Sequence, residues 1–169
     1  VLGDVMLNNE EIVTDARSRE KKKVLFLCYH NSARSQMAEG LLRKMYGDRY
    51  EAYSAGIEAT AVDTRAVQVM KEIGIDISDH HSKTSQEFQD MVFDIVITVC
   101  DRARQNCPIC STPLDIPDEQ PKASGQPQAK EVIHKSFKDP ADAVGSEEEQ
   151  LEVFRRVRDE IKEWISLIF

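Results

Sequence analysis

The sequence has no long hydrophobic run. Its apolar stretches fall well short of the roughly 20 residues that a membrane-spanning helix needs. The first 20 residues are polar and weakly patterned, and they lack the apolar centre of a secretory signal peptide. We therefore expect a protein that works in the cytoplasm without a membrane partner.

Clusters of basic side chains are also nearly absent. The chain has 22 Lys and Arg against 30 Asp and Glu, a formal charge of −8, and residues 21–23 are its one basic run. Because nucleic acids are bound by clustered Lys and Arg, this charge argues against a nucleic-acid partner. A length of 169 residues with 41% hydrophobic content fits one domain. We place that domain at residues 21–169, after an N-terminal tail or extension of residues 1–20.

Cysteine is scarce, with four residues in the chain. In the cytoplasm thiols are kept reduced, so a structural disulfide framework is not expected. The remaining uses of these thiols are catalysis, redox exchange and metal binding.

The most informative motif begins at Cys28. Arg34 and Ser35 follow after a five-residue segment, and the motif lies between a short apolar run and a helical pattern. A strand that ends at Cys28 would lead into a loop whose backbone N–H groups converge on one oxyanion, at the positive end of the next helix. Arg34 offers the planar donor geometry that suits a tetrahedral oxyanion. The predicted oxyanion-binding residues are Tyr29, His30, Asn31, Ser32, Ala33, Arg34 and Ser35.

Cys28 is the predicted nucleophile of this loop. The positive field should lower the pKa of its thiol below the free value of about 8.5 and populate the thiolate near neutral pH. A Cys at a strand end is often a packing residue, but here the strand, the spacing and the helix favour catalysis. Ser35 either donates its hydroxyl to the thiolate or satisfies backbone donors of the helix. Asn31 either tolerates a left-handed backbone conformation or is an ordinary turn residue.

Apolar periodicity predicts strands that alternate with helices. Strands are expected at residues 23–28, 51–54, 93–99 and 132–133, and helices at residues 32–45, 63–73 and 147–169. Residues 111–130, rich in Pro, Ser, Gln and Asp, are predicted to form a mobile surface loop.

This alternation predicts an α/β fold with a four-stranded parallel sheet in the order 2-1-3-4 and helices on both faces. Cys28 and Cys100 would then end neighbouring strands, at the edge of the sheet where ligands bind. The two thiols are therefore expected to be close to each other.

Cys100, Cys107 and Cys110 form a second cysteine cluster. One interpretation is a redox relay, in which a thiolate attacks an oxidised sulfur and passes the oxidation on. Another is a zinc site, formed by the Cys107 and Cys110 pair with Cys100 and His134, although the chain lacks a second C-x-x-C pair. Inert packing is the third interpretation.

With both cysteine motifs in view, the chain resembles the thioredoxin-coupled arsenate reductases, which share the fold of the low-molecular-weight protein tyrosine phosphatases. The resemblance extends over residues 22–168. The segments that carry it are residues 24–40, 54–56, 97–109, 139–141 and 154–161.

The resemblance implies a role for each reactive residue. Cys28 is the nucleophile, Arg34 binds the oxyanion, and Asp139 is the general acid. A disulfide then forms between Cys28 and Cys100, and a second one between Cys100 and Cys107 replaces it. Without the resemblance, an Asp before a Pro would be predicted as a turn residue.

The resemblance also implies the partners. Arsenate is the expected substrate, with phosphate or sulfate as analogues, and thioredoxin is the expected electron donor, with glutaredoxin left open. We expect a monomer with no cofactor and no metal ion.

Two other functions are open. One is a phosphatase that hydrolyses phosphotyrosine or small phosphomonoesters through a cysteinyl-phosphate, and the other is a redox sensor or zinc-stabilised interaction module. The resemblance argues against the phosphatase, because Ala141 and Asp142 stand where phosphatases of this fold place aromatic residues. Ester hydrolysis also has no use for Cys100 and Cys107.

Overall fold

Four parallel strands form the centre of the molecule. The structure is a computed structural model that describes residues 20–107, 109 and 126–169. The strands are β1 (Lys22–Cys28), β2 (Tyr50–Gly56), β3 (Val92–Thr98) and β4 (Gln128–His134). They pair in the order β2-β1-β3-β4, and each pairing is parallel, which confirms the predicted sheet.

Four α-helices accompany these strands in the described part of the chain. They are α1 (Arg34–Tyr46), α2 (Thr64–Glu72), α3 (Asp101–Gln105) and α4 (Glu147–Ile168). Side-chain caps mark where α2 and α4 begin, since Asp63 accepts the N–H of Arg65 and Ser146 accepts the N–H of Glu149. The three predicted helices are confirmed to within two residues at each end.

Two elements differ from the sequence prediction. The last strand was expected at residues 132–133, but β4 begins at Gln128 and so includes the end of the predicted loop. Its first half is mostly exposed, with Ala129 as the buried residue, and therefore gave little apolar signal. The short helix α3 was not predicted, because five residues are too few for a helical period. Residues 1–19 of the predicted tail and 111–125 of the predicted loop lie outside the described residues.

The core forms around β1, where the side chains from Val24 to Leu27 have no exposed surface. This continuous burial is expected for a parallel strand that is covered on both faces. α1 packs closely, since a Cβ at Gly40 would lie 2.8 Å from Cγ2 of Ile77. No helix in the described ranges is long and apolar enough to cross a membrane. Because β1 and β3 are neighbouring parallel strands, their carboxyl ends lie at the same edge of the sheet, with Cys28 at the end of β1 and Cys100 just beyond the end of β3.

Candidate active site

Cys28 ends β1 and is almost completely buried. Its Sγ accepts a hydrogen bond from the backbone N–H of Asn31 at 3.2 Å. The Ser35 hydroxyl oxygen lies 2.8 Å from the same sulfur. The structure thus brings the predicted nucleophile and two groups of the predicted loop together.

The acidity of Cys28 differs from the sequence prediction. Burial raises the pKa of the thiol above its ordinary value, and hydrogen bonding by Ser35 and the charge of Arg34 oppose that rise without cancelling it. The expectation of a lowered pKa was therefore wrong for the protein alone. Sequence motifs show which charges surround a thiol, but they do not show how deeply it is buried.

Neighbouring loops hold the backbone that follows Cys28. Asn31 has a φ of 51°, so the left-handed conformation considered from the sequence is present. Ser82 donates its hydroxyl to the carbonyl of His30 at 2.8 Å, and the N–H of Asp63 donates to the carbonyl of Ser32 at 2.9 Å. Both loops thereby fix the shape of the predicted oxyanion-binding segment.

The end of β2 passes very close to this segment. A Cβ at Gly56 would lie 2.8 Å from both the backbone nitrogen of Asn31 and the carbonyl oxygen of Tyr29, so a side chain there would displace the loop. Tyr29 is half-buried beneath the guanidinium of Arg102, at 3.8 Å from the ring centroid. Ala33 precedes α1 without a side-chain cap, which leaves the positive helix end available to an anion.

Arg34 and Asp139 meet at the mouth of the site. Arg34 donates from Nη2 to Asp139 Oδ2 at 3.2 Å and from Nη1 to the carbonyl of Phe137 at 3.1 Å. The other carboxylate oxygen of Asp139 accepts the N–H of Ala141 at 3.0 Å and caps the 3-10 helix Pro140–Asp142. The sequence alone predicts a turn residue at Asp139, and the structure shows that it caps a 3-10 helix and also lies beside the predicted oxyanion-binding Arg.

Cys100 lies just beyond the end of β3 and is buried. Its sulfur accepts the N–H of Ala103 at 3.3 Å and so caps α3. The backbone N–H of Val99 donates to the carbonyl of Leu27 at 2.9 Å, which places the segment leading into Cys100 beside the end of β1. Cys28 and Cys100 are both free thiols, whereas Cys107 is disulfide-bonded. Neither of the two predicted relay disulfides is therefore the bond that is present.

The zinc interpretation of the second cysteine cluster has no counterpart in the described residues. Within them, no group of three or more His, Cys, Asp or Glu side chains could hold a metal ion, while Cys110 lies outside them. His134 instead lies between Thr98 Oγ1 at 2.7 Å and Asp101 Oδ1 at 3.1 Å. Its position connects β4 to the start of α3.

Sequence reasoning missed a buried polar layer beneath the loop. Gln36 and Glu39 lie on the buried part of α1, and His80 contacts both of them. The sequence does carry a signal for this layer, because Gln36 and Glu39 are polar residues next to Met37 and Ala38 on a helix face that is otherwise apolar. Their contacts could not be predicted, because His80 is 44 residues from Gln36 along the chain.

The chain is similar to several curated bacterial proteins. It is 47% identical over 141 residues to the arsenate reductase of Halalkalibacterium halodurans, an alignment that covers 83% of this chain and 90% of the relative. It is 43% identical over 142 residues to the arsenate reductase of Bacillus subtilis, covering 84% and 91%.

Solved structures show the same likeness. One, described as an arsenate reductase in the phosphate binding state, has a TM-score of 0.58 and 31% identity over 87% of this chain and 95% of its own. The low molecular weight protein tyrosine phosphatase from T. tengcongensis has a TM-score of 0.62 and 27% identity, over 86% and 96%. The family model of the low molecular weight phosphotyrosine protein phosphatases matches residues 23–168. The chain therefore belongs to the low molecular weight phosphotyrosine protein phosphatase family.

Proposed function

We propose that this protein is an arsenate reductase that uses Cys28 as its nucleophile. The observation that carries the proposal is the position of a second free thiol, Cys100, at the end of the strand next to the Cys28 loop. A hydrolase has no use for that thiol. Similarity to several proteins named arsenate reductase supports the same conclusion.

The first step forms a bond between sulfur and arsenic. Arsenate binds to the loop N–H groups and to Arg34, and as a basic dianion it can accept the proton of the buried Cys28 thiol. The thiolate attacks arsenic, and Asp139 protonates the oxygen that departs as water. Arg34 must give up its contact with Asp139 in order to bind the substrate. Because the two side chains are neighbours, Asp139 then lies beside the leaving oxygen.

The second step is the reduction. The Cys100 thiolate attacks the sulfur of Cys28, a new S–S bond forms, and the S–As bond breaks. Its electron pair remains on arsenic, which leaves as arsenite, while the two sulfurs are oxidised to a disulfide.

The third step moves the disulfide to Cys100 and Cys107. α3 lies between them, and its five residues alone rise about 7.5 Å, whereas the Cα atoms of a disulfide lie only about 4.4–6.8 Å apart. We infer that α3 unwinds so that Cys107 can attack Cys100 and release Cys28. The bond that Cys107 now carries must first be reduced.

We propose thioredoxin as the donor that reduces the final disulfide, in the cytoplasm, where dithiol reductants are supplied. We also propose that the enzyme acts as a monomer.

The relay is tested by single cysteine variants in an arsenite assay with thioredoxin, thioredoxin reductase and NADPH. We expect Cys100→Ser and Cys107→Ser each to abolish repeated turnover and to retain slow hydrolysis of p-nitrophenyl phosphate. Cys28→Ser should lose both activities. Sustained arsenite production in the Cys100 and Cys107 variants would refute the relay, and a parallel assay with glutaredoxin and glutathione identifies the donor.

The second candidate function is phosphoester hydrolysis. It is favoured by the pairing of Arg34 with Asp139, because the same groups would bind a phosphoryl group and protonate its leaving oxygen. Comparing kcat/KM for phosphotyrosine and for arsenate in the wild-type protein separates the two functions. A much larger value for phosphotyrosine would assign the protein to the phosphatases.

A further inference from the structure

Gln36 is a buried polar residue that the mechanism above does not use. Its side chain has no exposed surface, and it contacts Asn31 on one side and residues 80–81 on the other. A buried carboxamide is costly unless its donors and acceptor are paired. Gln36 meets that condition, and the direction of each hydrogen bond determines the orientation of the next group.

Arg43 determines which groups donate and which accept at the end of this series of hydrogen bonds that is farthest from Cys28. A guanidinium only donates hydrogen bonds, and Nη1 of Arg43 lies 3.3 Å from Nε2 of His80, so that nitrogen is an acceptor. The proton of a neutral His80 ring therefore lies on Nδ1, 2.9 Å from Gln36 Oε1 and 3.1 Å from Glu39 Oε2. Burial lowers the pKa of His80, which favours this neutral form.

The carboxamide nitrogen of Gln36 then faces Asn31. Nε2 lies 2.9 Å from Asn31 Oδ1, 3.2 Å from the Asn31 carbonyl oxygen and 3.0 Å from the carbonyl oxygen of His81. The backbone N–H of Lys83 donates to the same Oδ1 at 3.0 Å. Two donors hold Oδ1, so the amide nitrogen of Asn31 must face Ser35, whose Oγ is 2.9 Å away.

Ser35 makes the last hydrogen bond of this series, to the sulfur of Cys28. Its Oγ accepts from Asn31, so its own hydrogen is available to Cys28 Sγ at 2.8 Å. A hydrogen bond of this kind stabilises the thiolate relative to the thiol. Ser35 is the strongest of the groups that lower the pKa of Cys28.

We propose that Gln36 is a positioning residue for the Cys28 thiolate, because it orients Asn31 so that Ser35 donates its hydrogen to sulfur. The proposal rests on the proposed function only in taking Cys28 as the nucleophile, and it holds equally for arsenate reduction and for ester hydrolysis. The hydrogen bonds of the Gln36 side chain reach Asn31, His80 and His81 rather than the sulfur itself.

Gln36→Glu tests the direction of these bonds. It places an acceptor where Gln36 donates, so the Asn31 carboxamide should turn and draw the Ser35 hydrogen away from sulfur. We expect about tenfold less thiolate at a given pH, which is a rise of about one pKa unit for Cys28. Gln36→Met removes the bonds without reversing them and should give a smaller rise.

The readout is the rate of Cys28 alkylation by iodoacetamide as a function of pH, resolved by peptide mass spectrometry. It requires neither arsenate nor thioredoxin, so a failure of the proposed function leaves it interpretable. Thermal unfolding of each variant reports any purely structural damage. An unchanged pKa in folded Gln36 variants would overturn the proposal.

A double-mutant cycle with Ser35→Ala distinguishes positioning from a direct effect of charge. Without the Ser35 hydroxyl there is no donor to redirect, so Gln36→Glu should add almost nothing to the pKa of Cys28. An equal rise in both backgrounds would mean that the new carboxylate acts through space, and would also overturn the proposal. If Gln36→Glu does not fold, Gln36→Met is measured in the same cycle.

Discussion

At the scale of single residues, Asp139 competes with the bound anion for the guanidinium of Arg34. Asp139→Asn should free Arg34 and remove a negative charge beside the anion. A partly buried pair of this kind contributes about 0.5–1 kcal/mol, so the inhibition constant of phosphate should fall by about two- to fivefold. Loss of the general acid should lower kcat by about 100- to 10,000-fold.

Asp142→Asn is the matched control, because it removes an exposed carboxylate from the same 3-10 helix. It should leave both constants close to wild type. Weaker phosphate binding with unchanged kcat in Asp139→Asn would contradict the roles assigned to both residues of the pair.

The depth of Cys28 predicts how its reactivity depends on pH. Burial raises the pKa of this thiol, and the reactive form is the deprotonated one, so reactivity must increase as the pH rises. In the protein without an anion, alkylation of Cys28 should continue to accelerate above pH 8.5, the ordinary thiol value being about 8.5. A plateau already reached at neutral pH would show that Arg34 and Ser35 outweigh burial.

At the scale of elements, the proposed relay requires an α3 that is stable enough to hold Cys100 and weak enough to unwind. Five residues form a marginal helix, and the contact of Arg102 with Tyr29 stabilises it against the loop. Removing this contact in Arg102→Ala should cost α3 about 1 kcal/mol. The exchange that forms the Cys100–Cys107 disulfide should therefore be about fivefold faster, as measured by quenching a single turnover and mapping disulfides by mass spectrometry.

Arg104→Ala provides the control for this prediction. It removes the same charge from an exposed position of the same helix, and Ala has the same helix propensity at both sites. Equal rates in the two variants would mean that net charge, rather than contact with Tyr29, controls the exchange.

The elements also show what the sequence could predict. The order of the sheet and the position of the Cys28 loop could be predicted from local patterns. Buried strands, the start of a helix and the spacing from Cys28 to Arg34 can each be recognised within a short stretch of sequence. The orientation of Asn31 was not predictable, because it depends on Gln36 from one helix and on His80 and Lys83 from a distant loop. The sign of the Cys28 pKa shift was missed for the same reason, since burial depends on the whole sheet.

At the scale of the whole molecule, the site depends on loops that are held by other parts of the fold. Asp63 is one such connection, because its N–H binds the Ser32 carbonyl while its carboxylate caps α2 and pairs with Arg65 at 2.7 Å. Arg65 also lies over the ring of Phe154 in α4. Loss of the Asp63 charge should therefore affect both the stability of the fold and the shape of the loop.

Protonation of the Asp63 carboxylate at low pH should remove its ion pair with Arg65. Burial alone would raise the pKa of Asp63, but hydrogen bonds from Arg65 outweigh it and hold the pKa below its ordinary value, which is about 3.9 in an unfolded chain. A lowered folded pKa stabilises the protein above that value, and the contribution is lost as the pH falls through the folded pKa. We expect a Tm that changes little between pH 7 and 5 and falls below about pH 4.

Asp63→Asn isolates the contribution of this residue to the acid response. Asn still caps α2 but lacks the charge, so at pH 7 the cost should be about 0.5–1 kcal/mol for this partly buried pair, or a Tm lower by about 1–4 °C. Because the variant has no carboxylate to protonate there, its Tm should approach that of the wild type as the pH falls below 4.

Asp48→Asn, at an exposed turn after α1, is the control, and its Tm should instead remain parallel to that of the wild type at every pH. A constant difference between Asp63→Asn and wild type down to pH 3 would mean that the Asp63 charge contributes nothing and that the substitution acts through packing alone.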